Sequence, residues 1–183
     1  LLFCLQVKPK EIKQVTIIAY KEGIMAADTA VTGGNTIRCY TRKIIRNRKG
    51  DIAGAVGLFE WSQDFLAWFH NGEKGNWPRY QGADNDWPFA IVVRASNPNE
   101  AIEYPSKPNL GKAATYSVGH GGFAAGSGED FAFGAMFAGG TAIDAVKAAI
   151  RQNTTCDGDI IAIPHKGKEQ ILKFKPVWVE QPS

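Results

Sequence analysis

Two apolar, β-prone runs near the start of the chain constrain its fold more than any other feature: Val15-Thr16-Ile17-Ile18-Ala19-Tyr20 and Gly23-Ile24-Met25-Ala26-Ala27-Asp28. They are separated only by Lys21-Glu22-Gly23, a connection that reads as a hairpin. Neither run alternates apolar with polar residues, so both strands are expected to be covered on both faces. The remainder of the chain has to supply those covers.

After a turn at Gly33-Gly34-Asn35, strands are expected around 36–46 and 51–57, divided by the polar turn Asn47-Arg48-Lys49-Gly50. The period then changes. Leu58, Trp61, Phe65, Leu66 and Phe69 recur at helical spacing and predict a helix over 58–70. From Gly72 to Pro88 the chain reads as an irregular loop packed down by Trp77 and Trp87. Strands return at Phe89–Arg94 and about 101–104, with Asn97-Pro98-Asn99 as the turn between them. Gly126-Ser127-Gly128-Glu129-Asp130 introduces a helix to about Ala138, and Thr141 with Asp144 forms a capping box that opens another through about Arg151. Final strands fit Asp159–Pro164 and Gln170–Phe174. Runs of each element type, rather than strict alternation, predict an α+β fold with antiparallel sheets and helices on the outer faces.

With 183 residues, 44% of them apolar, the chain has material for one domain with a core of its own. That domain is expected over 15–183. Residues 1–14 differ in character and the chain begins with Leu, so they read as a propeptide, an expression remnant or an upstream translation artefact. Leu1-Leu2-Phe3-Cys4-Leu5 lacks the basic leader and small-residue cleavage site of a signal peptide. No window approaches the roughly 18 apolar residues of a membrane span.

The net charge of +3 is mild, and its one dense run, Arg38, Arg42, Lys43, Arg46, Arg48 and Lys49, has no interleaved aromatics. It reads as a solvated strand edge and not as a nucleic-acid patch. Cys4, Cys39 and Cys156 are far apart and fit no zinc or redox spacing, which points to a reducing, cytoplasmic compartment. His70, His120 and His165 are equally scattered, so no metal and no cofactor is expected.

Three residues suggest chemistry. A hairpin centred on Glu22 sets Thr16 and Asp28, each six residues from that centre, opposite one another, and Lys43 follows on the next strand. A threonine hydroxyl is a weak nucleophile and needs a base. In an N-terminal threonine the α-amine serves, because its pKa of about 7.7–8.0 lies near ambient pH. A neighbouring lysine depresses the amine and hydroxyl pKa values, and an aspartate holds that lysine in place. Taken singly, Thr16 is a β-former, Asp28 a turn residue and Lys43 part of a basic edge. Gly126-Ser127-Gly128 taken alone lacks the full glycine pattern of a phosphate loop, since Phe131 stands at its last position.

Thr-Ile-Ile-Ala-Tyr-Lys-Glu-Gly-Ile-Met-Ala-Ala-Asp-Thr at 16–29, Gly34-Asn35-Thr36, Arg42-Lys43-Ile44, Ile52-Ala53-Gly54-Ala55-Val56-Gly57 and Gly126-Ser127-Gly128 before an Ala/Gly helix occur in this order. Together they resemble the N-terminal-nucleophile (Ntn) hydrolases: proteasome β-type subunits, the bacterial peptidase HslV and their small bacterial or phage relatives. The resemblance covers roughly residues 15–164. It implies a four-layer αββα sandwich and a threonine-type peptidase with Thr16 as nucleophile and amine base. Asp28 and Lys43 would be the supporting pair, the Gly54 amide the oxyanion donor, and Ser127 the serine beside the N-terminal amine. It also implies a homo-oligomeric ring acting on peptide or unfolded protein and fed by an ATP-dependent unfoldase; a non-catalytic structural subunit of the same fold is the alternative. The chain departs from the family in a shorter first hairpin, in lacking a second helix after the first, and in carrying Asn153 and Cys156 where the family often has Asp and then Ser.

Overall fold

The computed structural model describes residues 13–14, 16–33, 36–80, 88–107 and 113–175. Their strands are β1 (Lys13–Gln14), β2 (Ile17–Lys21), β3 (Ile24–Ala27), β4 (Ala30–Gly33), β5 (Thr36–Tyr40), β6 (Ile44–Arg46), β7 (Ile52–Leu58), β8 (Phe89–Arg94), β9 (Asn97–Pro105), β10 (Ala114–Ser117), β11 (Phe123–Gly126), β12 (Ile160–Pro164) and β13 (Gln170–Leu172). The helices are α1 (Phe59–His70), α2 (Glu129–Phe137) and α3 (Ala142–Gln152). The fold is mixed α+β with antiparallel sheets. The larger sheet runs β10-β9-β8-β7-β1-β4-β5, with β6 also on β7, and the smaller runs β11-β2-β3-β12-β13.

The first hairpin forms where the sequence predicts it, with a loop of Glu22 and Gly23 alone. Both residues take positive φ, 51° and 81°, the twist that a two-residue loop needs to match its strands. Lys21 therefore pairs with Ile24, and Ile18 with Ala27. The hairpin centre falls between Glu22 and Gly23, so the expected direct pairing of Thr16 with Asp28 is corrected by one residue. Asp28 stands across from Ile17, whose carbonyl accepts its N–H at 3.3 Å.

Burial of β2 and β3 on both faces follows from their apolar runs. One face, with Ile17, Ala19 and Ala26, packs on Ala132 and Met136 of α2 and on Ala145, Val146 and Ala149 of α3. The other, with Ile18, Tyr20, Met25 and Ala27, packs on Ile44, Ile52, Ile91 and Val93 of the larger sheet. The far face of the larger sheet, through Ala53, Ala55, Ala90 and Val92, is covered by Trp61, Phe65, Leu66 and Phe69 of α1. The expected α1 stripe is thus the buried one. The α3 capping box is also present: the Thr141 side chain accepts from the Asp144 N–H and the Asp144 side chain from the Thr141 N–H.

Several expectations shift. The turn before β9 lies at Ala95–Ser96, and Asn97, Pro98 and Asn99 are already in the strand. The stretch expected as one strand over 36–46 is two, β5 and β6, broken at 41–43. Strands β4, β10 and β11 were not expected; β10 is short and mostly exposed, which leaves no apolar pattern to read. Lys13 and Gln14, placed before the domain by composition, pair antiparallel with β4 and β7: Lys13 with Thr32 and Leu58, Gln14 with Gly57. Trp77 does pack its loop down, donating to the Pro105 carbonyl at 2.9 Å and meeting Tyr104 edge-on. Trp87, Gly34 and Asn35 lie outside the described residues.

Of the described cysteines, Cys39 is disulfide-bonded, which its spacing along the chain did not indicate, and Cys156 is free. No helix among the described residues is long and apolar enough to cross a membrane.

Candidate active site

The hairpin delivers Thr16 and Asp28 to one end of the smaller sheet, just before β2 and just after β3. Lys43, immediately before β6, comes from the larger sheet. Placed in the basic run as part of a solvated edge, it is instead turned inward and fully buried, as is Asp28, while Thr16 is 1% exposed. The Thr16 hydroxyl donates to Asp28 Oδ1 at 3.1 Å, and the Lys43 ammonium donates to the same oxygen at 2.7 Å. The Ile17 N–H reaches Oδ1 at 3.0 Å and the Asp157 N–H reaches Oδ2 at 3.2 Å. Four donors on one buried carboxylate fix it in position, and through it the threonine and the lysine. Burial pushes the Lys43 pKa down, against the opposing pull of the Asp28 charge and hydrogen bond.

Ser127 follows β11 and faces the Thr16 main chain, its Oγ 3.5 Å from the Thr16 carbonyl oxygen. The approach depends on Gly126, whose φ of 112° suits glycine and where an added Cβ would overlap that carbonyl. Gly54 lies inside β7, where a Cβ would press on the side chains of Ile18, Ile44 and Met25 between the two sheets. The next amide, Ala55 N–H, donates to the Lys43 carbonyl at 3.1 Å. Successive amides of a strand alternate sides, which turns the Gly54 N–H toward β8, where Ile91 stands opposite.

The turn 153–157 adds Thr155 and Asp157, which no sequence signal singled out, to Asn153 and Cys156. The Asp157 carbonyl accepts from the Thr29 and Ala30 N–H groups at 3.3 and 3.1 Å, and its carboxylate accepts from the Tyr40 hydroxyl at 3.1 Å. Asn153 Oδ1 accepts from the Thr155 N–H at 2.9 Å, the two-residue turn typical of asparagine. The Asn-Thr-Thr-Cys-Asp-Gly composition at 153–158 marked a turn, but nothing in it marked contact with Asp28.

Cys156 lies behind Ser127, 2% exposed. Burial, helped by the Asp28 charge, pushes its thiol up to about 12. A reactive cysteine needs thiolate and access, and Cys156 has neither. In native protein at pH 8 the Cys156 peptide is expected to stay unlabelled by iodoacetamide over a period that labels it fully after denaturation; peptide mass spectrometry reads the difference.

A cavity of about 500 Å³ opens at the other end of β2, lined by Tyr20, Glu22, His120, His165 and Lys166 among others. It is remote from Thr16, and buried donors and acceptors, not cavity size, mark the Thr16 cluster as the chemical candidate. Among the described residues no group of three or more His, Cys, Asp or Glu side chains gathers to hold a metal. A scan against protein-family models finds no match, and a search of curated proteins finds none either.

Proposed function

We propose that this chain is a threonine-type peptidase subunit with the four-layer αββα sandwich of the Ntn hydrolases, acting through Thr16 once that residue carries a free α-amine. The observation that carries the reading is the buried Thr16–Asp28–Lys43 cluster, joined through one carboxylate oxygen at 3.1 and 2.7 Å. A structural ion pair would satisfy charge alone. It would not need a threonine hydroxyl in the same hydrogen-bond set, at the mouth of a strand whose upstream residues lie in the opposite sheet.

In the reaction the Thr16 hydroxyl proton passes to the α-amine, and Oγ1 attacks the carbonyl carbon of the scissile peptide bond. The amine then returns a proton to the departing nitrogen, leaving an ester on Thr16 that water hydrolyses. The Lys43 charge, held by Asp28, favours the developing alkoxide. Strand β1 suggests how substrate lies: an extended peptide pairing between Thr32 of β4 and Gly57 of β7, as Lys13 and Gln14 do, leads directly to Thr16. With residues 1–15 attached the amine is an amide and has no basic lone pair.

A homo-oligomer that encloses the site belongs to the same reading. The aromatics of α1 and Trp77 are packed inward, whereas Phe131, Phe133 and Phe137 of α2 are exposed and available for contact.

The described side chains of the three apolar clusters lie between Ile17 and Phe174, so a chain beginning at Thr16 keeps this core. That form is expected to hydrolyse short peptides, while the 183-residue form, with residues 1–15 verified by mass, does not. Equal cleavage by the long form would overturn the N-terminal mechanism. Inactivity of both, with folding intact, would favour the structural-subunit alternative.

A further inference from the structure

The hydroxyl protons beside Thr16 can be placed one by one. The Thr155 N–H donates to Asn153 Oδ1 at 2.9 Å, and Asn153 Nδ2 donates to the Ser127 carbonyl at 2.6 Å, so the orientation of the asparagine amide is fixed by a backbone donor at one end and a backbone acceptor at the other. Thr155 Oγ1 stands 2.6 Å from the same Oδ1. That oxygen carries no proton, so the Thr155 hydroxyl proton lies in this bond. Ser127 Oγ is 3.0 Å from Thr155 Oγ1. With the Thr155 proton already placed, Ser127 is the donor in that contact, and its single proton is placed as well.

Toward Thr16, Ser127 is therefore left with lone pairs. The 3.5 Å separation between Ser127 Oγ and the Thr16 carbonyl is longer than an O–H···O bond normally runs, in keeping with a proton directed elsewhere. Cys156 Sγ, 3.7 Å from Ser127 Oγ and kept protonated by burial, is a weak donor and does not reverse the order.

We propose that Thr155, oriented by Asn153, is a positioning residue that fixes Ser127 as a hydrogen-bond acceptor for an N–H of the free Thr16 amine. This rests on the nucleophile role given to Thr16 above. An amine whose N–H is held by Ser127 keeps its lone pair for its own hydroxyl. When the Oγ1–H bond breaks and a new N–H bond forms, the resulting ammonium remains bound to an acceptor. Without the Thr155 oxygen, the Ser127 proton is released toward the Thr16 main chain, where it competes for the amine lone pair that must act as base.

The test uses the chain beginning at Thr16, with peptide hydrolysis followed from about pH 5 to 10 for the parent, Thr155→Val and Thr155→Ser. For Thr155→Val, kcat falls on the order of 10–100-fold while KM stays within about threefold. Its acid limb also moves to lower pH, because a donor on the nitrogen favours the uncharged amine. Thr155→Ser restores rate and limb. A Thr155→Val enzyme with rate and limb unchanged overturns the proposal, as does a Thr155→Ser enzyme as impaired as Thr155→Val. Thermal melting checks the fold of each, and Thr155→Ala carries the same expectation should the valine variant not fold. Thr16→Ala separates the two ideas. If it cleaves like the parent, the nucleophile itself is wrong; if it is inactive while Thr155→Val matches the parent, only the positioning role fails.

Discussion

Replacing Thr16 by alanine in a chain that begins at residue 16 is expected to lower kcat/KM for a short peptide by at least about a thousandfold. The substitution keeps the α-amine and removes only the hydroxyl and methyl groups, so it separates the nucleophile from the base. The fold should survive. Asp28 would still hold the Lys43 ammonium and the Ile17 and Asp157 N–H groups, and the single hydrogen bond lost contributes about 1 kcal/mol. Thr16→Ser keeps the attacking oxygen and should keep much of the activity. The measurement is steady-state hydrolysis beside a melting curve and a sedimentation profile of the same preparation. Alanine enzyme within about tenfold of the parent, in an assembly of unchanged size, would exclude Thr16 as the attacking group.

Asp28→Ala should have the largest effect on stability, a loss of about 3–5 kcal/mol. The reason is what remains behind. Lys43, fully buried, would lose the carboxylate that holds its charge, and the Ile17 and Asp157 N–H groups would lose their acceptor. Against a total of about 5–15 kcal/mol for a domain, that is enough to populate unfolded protein at physiological temperature. Asp28→Asn keeps an oxygen for a backbone N–H but offers no charge to Lys43, so it should cost less stability than alanine while still impairing hydrolysis. Lys43→Met orphans neither amide but leaves the buried Asp28 carboxylate without its cation, so it should also cost stability, though less than Asp28→Ala. Denaturant unfolding orders them, and an Asp28→Ala protein within about 1 kcal/mol of the parent would show that this cluster does not hold the hairpin to the larger sheet.

The corrections share a physical cause. Apolar runs dictated that β2 and β3 are strands and that both their faces are covered, because burying them is the dominant favourable term available. Helical spacing in 58–70 and the Thr141–Asp144 box were local signals that act within a few residues, and both elements formed as read. The one-residue shift of Asp28 came from loop length. Lys21-Glu22-Gly23 is compatible with two or three loop residues, and the choice was made by φ at Glu22 and Gly23 together with the sheets on either side. Strands β4, β10 and β11 are held by neighbours in the sheet and not by a pattern of their own.

What the sequence by itself determined was which residues are chemically equipped and roughly which strands carry them: Thr16, Asp28, Lys43 and Ser127 were each legible as residue types at strand or turn positions. Tertiary structure alone decided that Lys43 points inward from a basic run, that Gly54 packs between sheets with its amide toward β8, and that the turn at 153–157 closes on Asp28 and Ser127. A side chain's direction on a strand end and the meeting of turns more than a hundred residues apart depend on the packing of the two sheets against each other. No local propensity encodes that packing, so those contacts become readable only when the layers are in place.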